Sequence, residues 1–294
     1  MVVHNSRLYI DLIFFSFFFS VLFCIFCSIV DSLVSFWVFL ELCGLSIIPS
    51  YFCVSDSNVS GFYNSLLTYL VISGLSSVFI VTGILLVDLY YFVFFGFVMK
   101  FGLFPFSLWV YRVFSSSNWF FIFLLSVVLK FPILFFSFIF QNVSLYLIFF
   151  DCSLTILWCS FLFWIFSNGW KFIWCHMSLS SVSTLLIACF CSDINICMYI
   201  YGYYLFWSIW CVYYFYLICD VGGYLINFWL YCFLLLVTPL SLPLFYKLGV
   251  CIAIFYSSIY VLVVWSLYSF SEQFFLYKLC SDYFYSGVFN FWVG

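Results

Sequence analysis

Charge is scarce in this sequence. Of its 294 residues 6% are charged, seven Lys and Arg against ten Asp and Glu, for a formal net charge of −3. That balance excludes a nucleic-acid-binding protein, which needs a basic face. Histidine is rarer still: His4 and His176 are the only two. Neither a histidine pair nor a dense thiolate cluster is at hand for electron-transfer ligands. Ala and Gln occur twice each and Pro five times. These rare residues have codons rich in A or C, whereas the abundant Phe, Tyr, Cys, Trp, Leu and Val use U and G. The bias points to a U-rich coding strand of the kind small organellar genomes have, and it makes most Phe residues lipid-facing filler.

What the sequence does hold is apolar: 69% hydrophobic residues, with 47 Phe, 24 Tyr, 12 Trp and 15 Cys. One long apolar run follows another from residue 8 to residue 270. The fold class this implies is all-α, a polytopic membrane helical bundle with the lipid bilayer as its first partner. A β-barrel would alternate with period two, and these runs are apolar on every face. The cysteines, including Cys24-x-x-Cys27 and Cys189-x-Cys191, read as small buried hydrophobes. Zinc or iron–sulfur chemistry would want further ligands nearby. The triplets Asn58-Val-Ser60 and Asn142-Val-Ser144 match the glycosylation pattern and read as chance. The N-terminus has one Arg and turns apolar by Leu8, unlike a transit peptide, so synthesis in the compartment of use is expected.

Ten spans can be drawn, with residues 1–270 as one transmembrane domain and 271–294 as a mixed, aromatic tail, interfacial or partly embedded. The fourth, from about Leu89 to Val113, contains Lys100, Gly102 and Pro105. The fifth, Trp119 to Phe140, carries Lys130 with Pro132 two residues on. The ninth begins near Tyr224, is interrupted at Thr238 to Pro243 and continues into Lys247; the tenth runs from about Cys251 to Phe270. Gly and Pro free backbone groups, so the fourth and ninth spans are the two broken helices. With ten spans Arg7, Arg112, Lys171 and Lys278 fall on one side and Asp31, Asp88 and Asp193 on the other. The positive-inside rule asks for that asymmetry, with both ends facing the compartment of synthesis.

Four charges remain at mid-depth: Glu41, Lys100, Lys130 and Lys247. An ammonium at the bilayer centre costs about 2.5–3.5 kcal/mol even on an insertion scale, and broken backbone there needs protein or a wet cavity around it. Broken helices near the midplane in both halves of a chain signal ion-translocating repeats. These four residues are therefore the candidates for a proton path. Glu41 and Lys100 are expected to pair within about 6 Å, the reach at which opposite charges shift each other's protonation. Lys130 and Lys247 are expected to have no acidic partner at similar depth in this chain. Snorkelling is the alternative for both, more so for Lys247 near its span end. His176 reads as interfacial, and the Ser and Thr cluster from Ser178 to Thr184 as packing.

Several of these stretches resemble a known family. Trp37 to Phe52, WVFLELCGLSIIPSYF, is similar to the glutamate-bearing helix of the antiporter-like membrane subunits of respiratory complex I, and of the chain 2 family among them. Met99 to Val113, MKFGLFPFSLWVYRV, resembles their lysine–glycine–proline–tryptophan pattern. Leu124 to Pro132, LLSVVLKFP, resembles the next lysine helix, and Thr238 to Lys247, TPLSLPLFYK, the second broken one. The resemblance covers roughly residues 31 to 250. It implies two inverted repeats of five helices and proton translocation coupled to electron flow from NADH to ubiquinone in the mitochondrial inner membrane. Glu41 and Lys100 would be the coupled pair, Lys130 the central relay and Lys247 the lysine of the second half. No cofactor would be bound by this chain; NADH, flavin, iron–sulfur clusters and ubiquinone would belong to the complex, whose other membrane-arm subunits would be its partners. Ser107 and Ser180 stand where the family often has histidine, Pro243 replaces a glycine, and the segment after Lys247 is short. A free-standing cation/proton antiporter and a structural subunit with vestigial charges are the alternative functions.

Overall fold

The computed structural model describes residues 2–52, 59–86, 89–139, 145–167, 169–220 and 228–284. Asn58, Asp88, Asn142 to Ser144, Gly222, Gly223 and the tail from residue 285 lie outside the described residues. In lipid every backbone polar group must find a partner inside the protein, which leaves helices for a chain this apolar. Among the described residues there are helices and no strands. The first half contains α1 (Val2–Ile29), α2 (Leu33–Tyr51), α3 (Val59–Leu85), α4 (Tyr91–Phe101), α5 (Leu108–Ser116), α6 (Trp119–Ser126) and α7 (Ile133–Ile139). The second contains α8 (Leu145–Ile165), α9 (Trp170–Cys191), α10 (Ile194–Asp220), α11 (Phe228–Leu235), α12 (Leu242–Phe255) and α13 (Ile259–Phe284).

Among the described residues eight segments are long and apolar enough to cross a membrane, the α6–α7 stretch counting as one. The broken pairs α4/α5 and α11/α12 supply two further crossings, which gives a multi-pass bundle of ten. The fourth crossing of each five is the broken one. An odd number per half places the second half upside down relative to the first. The end of α2, the turn before α6 and the start of α9 meet at one end, as alternation requires. There Asn118 Nδ2 donates to Ser50 O at 3.1 Å and Lys171 Nζ to Ser117 O at 2.8 Å.

Polar residues start the helices where they can. Ser32 accepts from Ser35 N at the start of α2, and Asn118 accepts from Phe121 N at the start of α6, the N-cap arrangement that satisfies an orphan amide. Close packing depends on small residues. A Cβ on Gly96 of α4 would lie 2.6 Å from Ile80 Cγ1 and 2.7 Å from Ser76 O of α3, and one on Gly83 would lie 2.6 Å from Val93 N. Gly74, in the small-residue cluster of α3, faces open space instead.

The spatial centre is α9. It touches α5, α7, α8, α10 and α12, and 94% of its most apolar stretch is buried against 22% for α1. Its small residues, Ser178 to Thr184, permit that approach. Their hydroxyls are satisfied on the helix itself, donating to the carbonyls of residues 175, 177, 178, 180 and 181, as such side chains do in helices.

Three boundaries differ from the sequence expectation. The fifth crossing is interrupted as well, by a 3-10 turn over Val128–Lys130. Pro132 accounts for it, since its ring opposes the carbonyl four residues earlier and it donates no amide. The helix carrying Lys247 continues to Phe255, so Lys247 lies within α12 and not near a span end. The last crossing starts at Ile259 and runs through Phe270 to Phe284, so the first part of the tail is helix.

Candidate functional site

The first broken crossing places Lys100 in the last turn of α4. Gly102 follows in the left-handed region at φ +69°, with Gly102 N donating to Met99 O and Leu103 N to Val98 O. This is a Schellman cap, and a glycine is favoured there. Trp109 Nε1 returns from α5 to Met99 O at 3.1 Å. The capped end directs Lys100 Nζ to Glu41 Oε1 of α2 at 2.5 Å. The expected pair is therefore formed, although α3 intervenes in the chain. Both partners are largely enclosed, and Cys43 lies two residues beyond Glu41 with its thiol 3.6 Å from that of Cys24.

Lys130 closes the 3-10 turn and is 2% exposed. Its three ammonium hydrogens have three acceptors: Ser178 O at 2.8 Å, Ser181 Oγ at 2.6 Å and Tyr204 OH at 2.8 Å. The hydroxyls spend their own hydrogens elsewhere, Ser181 on Ser178 O and Tyr204 on Ser126 O. The arrangement suits an ammonium donating three bonds. The Tyr204 ring adds a cation–π contact at 4.3 Å. No carboxylate touches Lys130 among the described residues, and the snorkelling alternative does not apply because the ammonium points inward. A cavity of about 40 Å³ is lined by both Lys100 and Lys130, together with Trp109, Ser126 and Ser178. That volume exceeds the roughly 10–15 Å³ one water needs. Carbonyls freed at the interruption find partners from other helices: Val127 O accepts from Tyr201 OH, and Val128 O from the Cys24 thiol.

Lys247 lies 3.1 Å from Glu272 Oε1 of α13 and donates to Ser269 Oγ at 2.9 Å. This corrects the expectation that Lys247 lacks an acidic partner. Glu272 is 4% exposed near the middle of the 26-residue α13. A tenth span drawn from Cys251 had left it in the tail. Tyr256-Ser257-Ser258, the turn that separates α12 from α13, is the sequence signal that would have moved the span.

Two aromatic hydroxyl side chains lead from Lys130 toward α12. The Tyr204 ring lies 5.8 Å from that of Tyr246, the residue before Lys247, and the Tyr246 hydroxyl lies beside Thr184 and Ser181. Lys130 thus lies between the cavity it shares with Lys100 and the Tyr204–Tyr246 contact. His176 is fully buried, not interfacial, and its Nδ1 meets Tyr111 OH at 2.8 Å. Ser180 Oγ lies within hydrogen-bond distance of Tyr268 OH, at 2.7 Å, whereas Ser107 Oγ is buried without a partner among the described residues. Cys24 and Cys27 are buried between helices, and among the described residues no three potential ligands are grouped to hold a metal. Compared with protein-family models and with curated proteins, the sequence matches none.

Proposed function

We propose that this chain moves protons through its buried Lys and Glu residues as a membrane-arm subunit of respiratory complex I in the mitochondrial inner membrane. The observation that carries the proton reading is Lys130. A fully enclosed ammonium with no counter-ion among the described residues is a poor structural choice, yet every one of its hydrogens is met by an acceptor. Two of the three acceptors are hydroxyls. On loss of a proton, Ser181 or Tyr204 can rotate its hydrogen toward the free lone pair of the amine, so the site fits both protonation states without moving a helix. Water in the shared cavity offers a path from Lys100 to Lys130, and Tyr204 and Tyr246 lead onward to Lys247.

The assignment to complex I rests on the resemblance of the four motif stretches to its antiporter-like subunits. In that setting the chain contributes no redox cofactor, and NADH oxidation elsewhere in the complex drives the protons. Lys130→Met tests the reading. Methionine keeps the volume and removes the charge, so the complex should assemble while NADH-driven proton flux falls by about a hundredfold, the lower range for a positioned proton carrier. Lys130→Arg should not restore it, since guanidinium stays protonated. Wild-type flux in Lys130→Met would refute the relay. Copurification without NADH-oxidising partners would redirect the assignment to a free-standing antiporter.

A further inference from the structure

Glu272 is deeply buried, charged and outside the proton path read from the sequence. It is bound on three sides. Lys247 Nζ lies 3.1 Å from Oε1. Gln273 Nε2 donates to the same oxygen at 3.1 Å. The Tyr268 hydroxyl, 2.7 Å from Ser180 Oγ, lies beside the carboxylate. Gln273 does more than hold Glu272. Its Oε1 accepts from Val237 N at 2.8 Å and its Nε2 also reaches Leu235 O at 3.4 Å. These are two backbone groups at the break between α11 and α12. One side chain therefore closes the broken backbone and holds the acid of the neighbouring ion pair.

We propose that Glu272 is the proton-accepting partner of Lys247 in the second half of the chain, and that Gln273 links the state of this pair to the break at Leu235 to Thr238. This rests on the proton-moving reading above. The proton passes from Lys247 Nζ to Glu272 Oε1, leaving a neutral amine and a neutral carboxylic acid with no change in net charge. A protonated oxygen is a weaker acceptor, so Gln273 loses part of its bond to Glu272. Its amide hydrogens then favour Leu235 O, whose present 3.4 Å contact is long for a hydrogen bond. Transfer within the pair thus tightens the broken backbone, and return of the proton loosens it. Ser180 and Tyr268 connect the acid to α9, the helix that carries the acceptors of Lys130.

The test uses the full chain in native membrane vesicles, with NADH-driven proton flux as the readout and Lys130→Met as reference. Glu272→Gln keeps the shape and should lower flux by about a hundredfold, as expected of a proton carrier. Glu272→Asp should retain more flux than Glu272→Gln. The double variant Lys247→Met with Glu272→Gln removes both charges, which guards against loss of assembly from an unpaired lysine; its flux should stay low. In wild type, an infrared difference spectrum should show a carboxylic-acid carbonyl band that shifts in Glu272→Asp. Wild-type flux in the assembled double variant would overturn the proposal and leave the pair structural, even if Lys130→Met is blocked. A spectrum with no such band would overturn it as well. Wild-type flux in Lys130→Met would overturn the underlying reading and this assignment with it.

Discussion

Gly102→Ala is the sharpest test of how the first broken crossing aims its lysine. Gly102 holds φ +69°. An L-residue in that region costs about 1–2 kcal/mol. A Cβ there would lie 2.3 Å from Val110 Cγ2 and 3.4 Å from Trp109 Nε1. Val110 is itself buried, so the contact has to be relieved by shifting α5 against α4. Overpacking of this kind costs about 1–3 kcal/mol. The smaller chain entropy of Ala in the unfolded state returns about 0.4–1 kcal/mol. The net expectation is about 3 kcal/mol of destabilisation from the sum of these ranges. Function should fall by more than stability does, because the displaced turn contains the Met99 carbonyl that Trp109 holds and the residue next to it is Lys100. Equilibrium unfolding in lipid–detergent micelles measures the first quantity and proton flux the second. Wild-type stability in Gly102→Ala would refute the argument, because neither the backbone conformation nor the 2.3 Å approach could then be as described.

Two further outcomes follow from the packing and the pairing. Glu41→Gln, Lys100→Met and their combination form a double-mutant cycle. Each single change should destabilise by about 3 kcal/mol and the double by much less, since breaking a buried pair leaves a charge uncompensated while removing both does not. Strictly additive losses by thermal or denaturant unfolding would mean that the 2.5 Å contact is not an ion pair in the membrane. Gly96→Ala should destabilise by about 1–3 kcal/mol through its clash with Ile80 and Ser76, while Gly74→Ala, facing open space, should be neutral or mildly stabilising; the reverse order would refute the α3–α4 interface.

Much of the architecture was legible because bilayer physics leaves few choices. Apolar runs between polar turns marked the crossings, and Gly102 with Pro105 marked the first break. The Glu41–Lys100 pair was legible because an isolated mid-depth carboxylate and ammonium stabilise one another. What escaped was facing. Most positions of these helices are apolar, so no stripe distinguishes lipid from protein, and the enclosure of α9 could not be read from its sequence. Glu272 was missed for a different reason. An early start for the last crossing moved its middle out of the membrane and left a carboxylate in the tail. The interruption at Lys130 had its signal in Pro132, but a proline inside an apolar run reads equally well as a gentle kink.

The three buried lysines solve one electrostatic problem in two ways. A helix end carries partial charge, negative at the C-terminus, where carbonyls lack amide partners. Lys100 stands in the last turn of α4, and Lys130 ends the turn that follows α6. Both ammonium groups therefore sit where interrupted backbone offers negative potential. Lys130 can dispense with a carboxylate because Ser178 O and two oriented hydroxyls add to it. Lys247 has one hydroxyl, that of Ser269, and no helix C-terminus beside it. It follows its break and lies in the second turn of α12, nearer the N-terminal end, where the helix field is at best neutral toward a cation. A carboxylate is the remaining means of holding an ammonium there, and α13 supplies it in Glu272. The same reasoning separates the lysines by how they can release a proton. Lys130 can do so by turning a hydroxyl, with its surroundings otherwise unchanged. Lys247 cannot lose its proton without leaving Glu272 as an unpaired buried anion, unless the proton goes to Glu272 itself. For Lys130 and Lys247 the placement relative to the break thus goes with the kind of proton partner, a hydroxyl before it and an acid after it, whereas Lys100 has both a helix C-terminus and the carboxylate of Glu41.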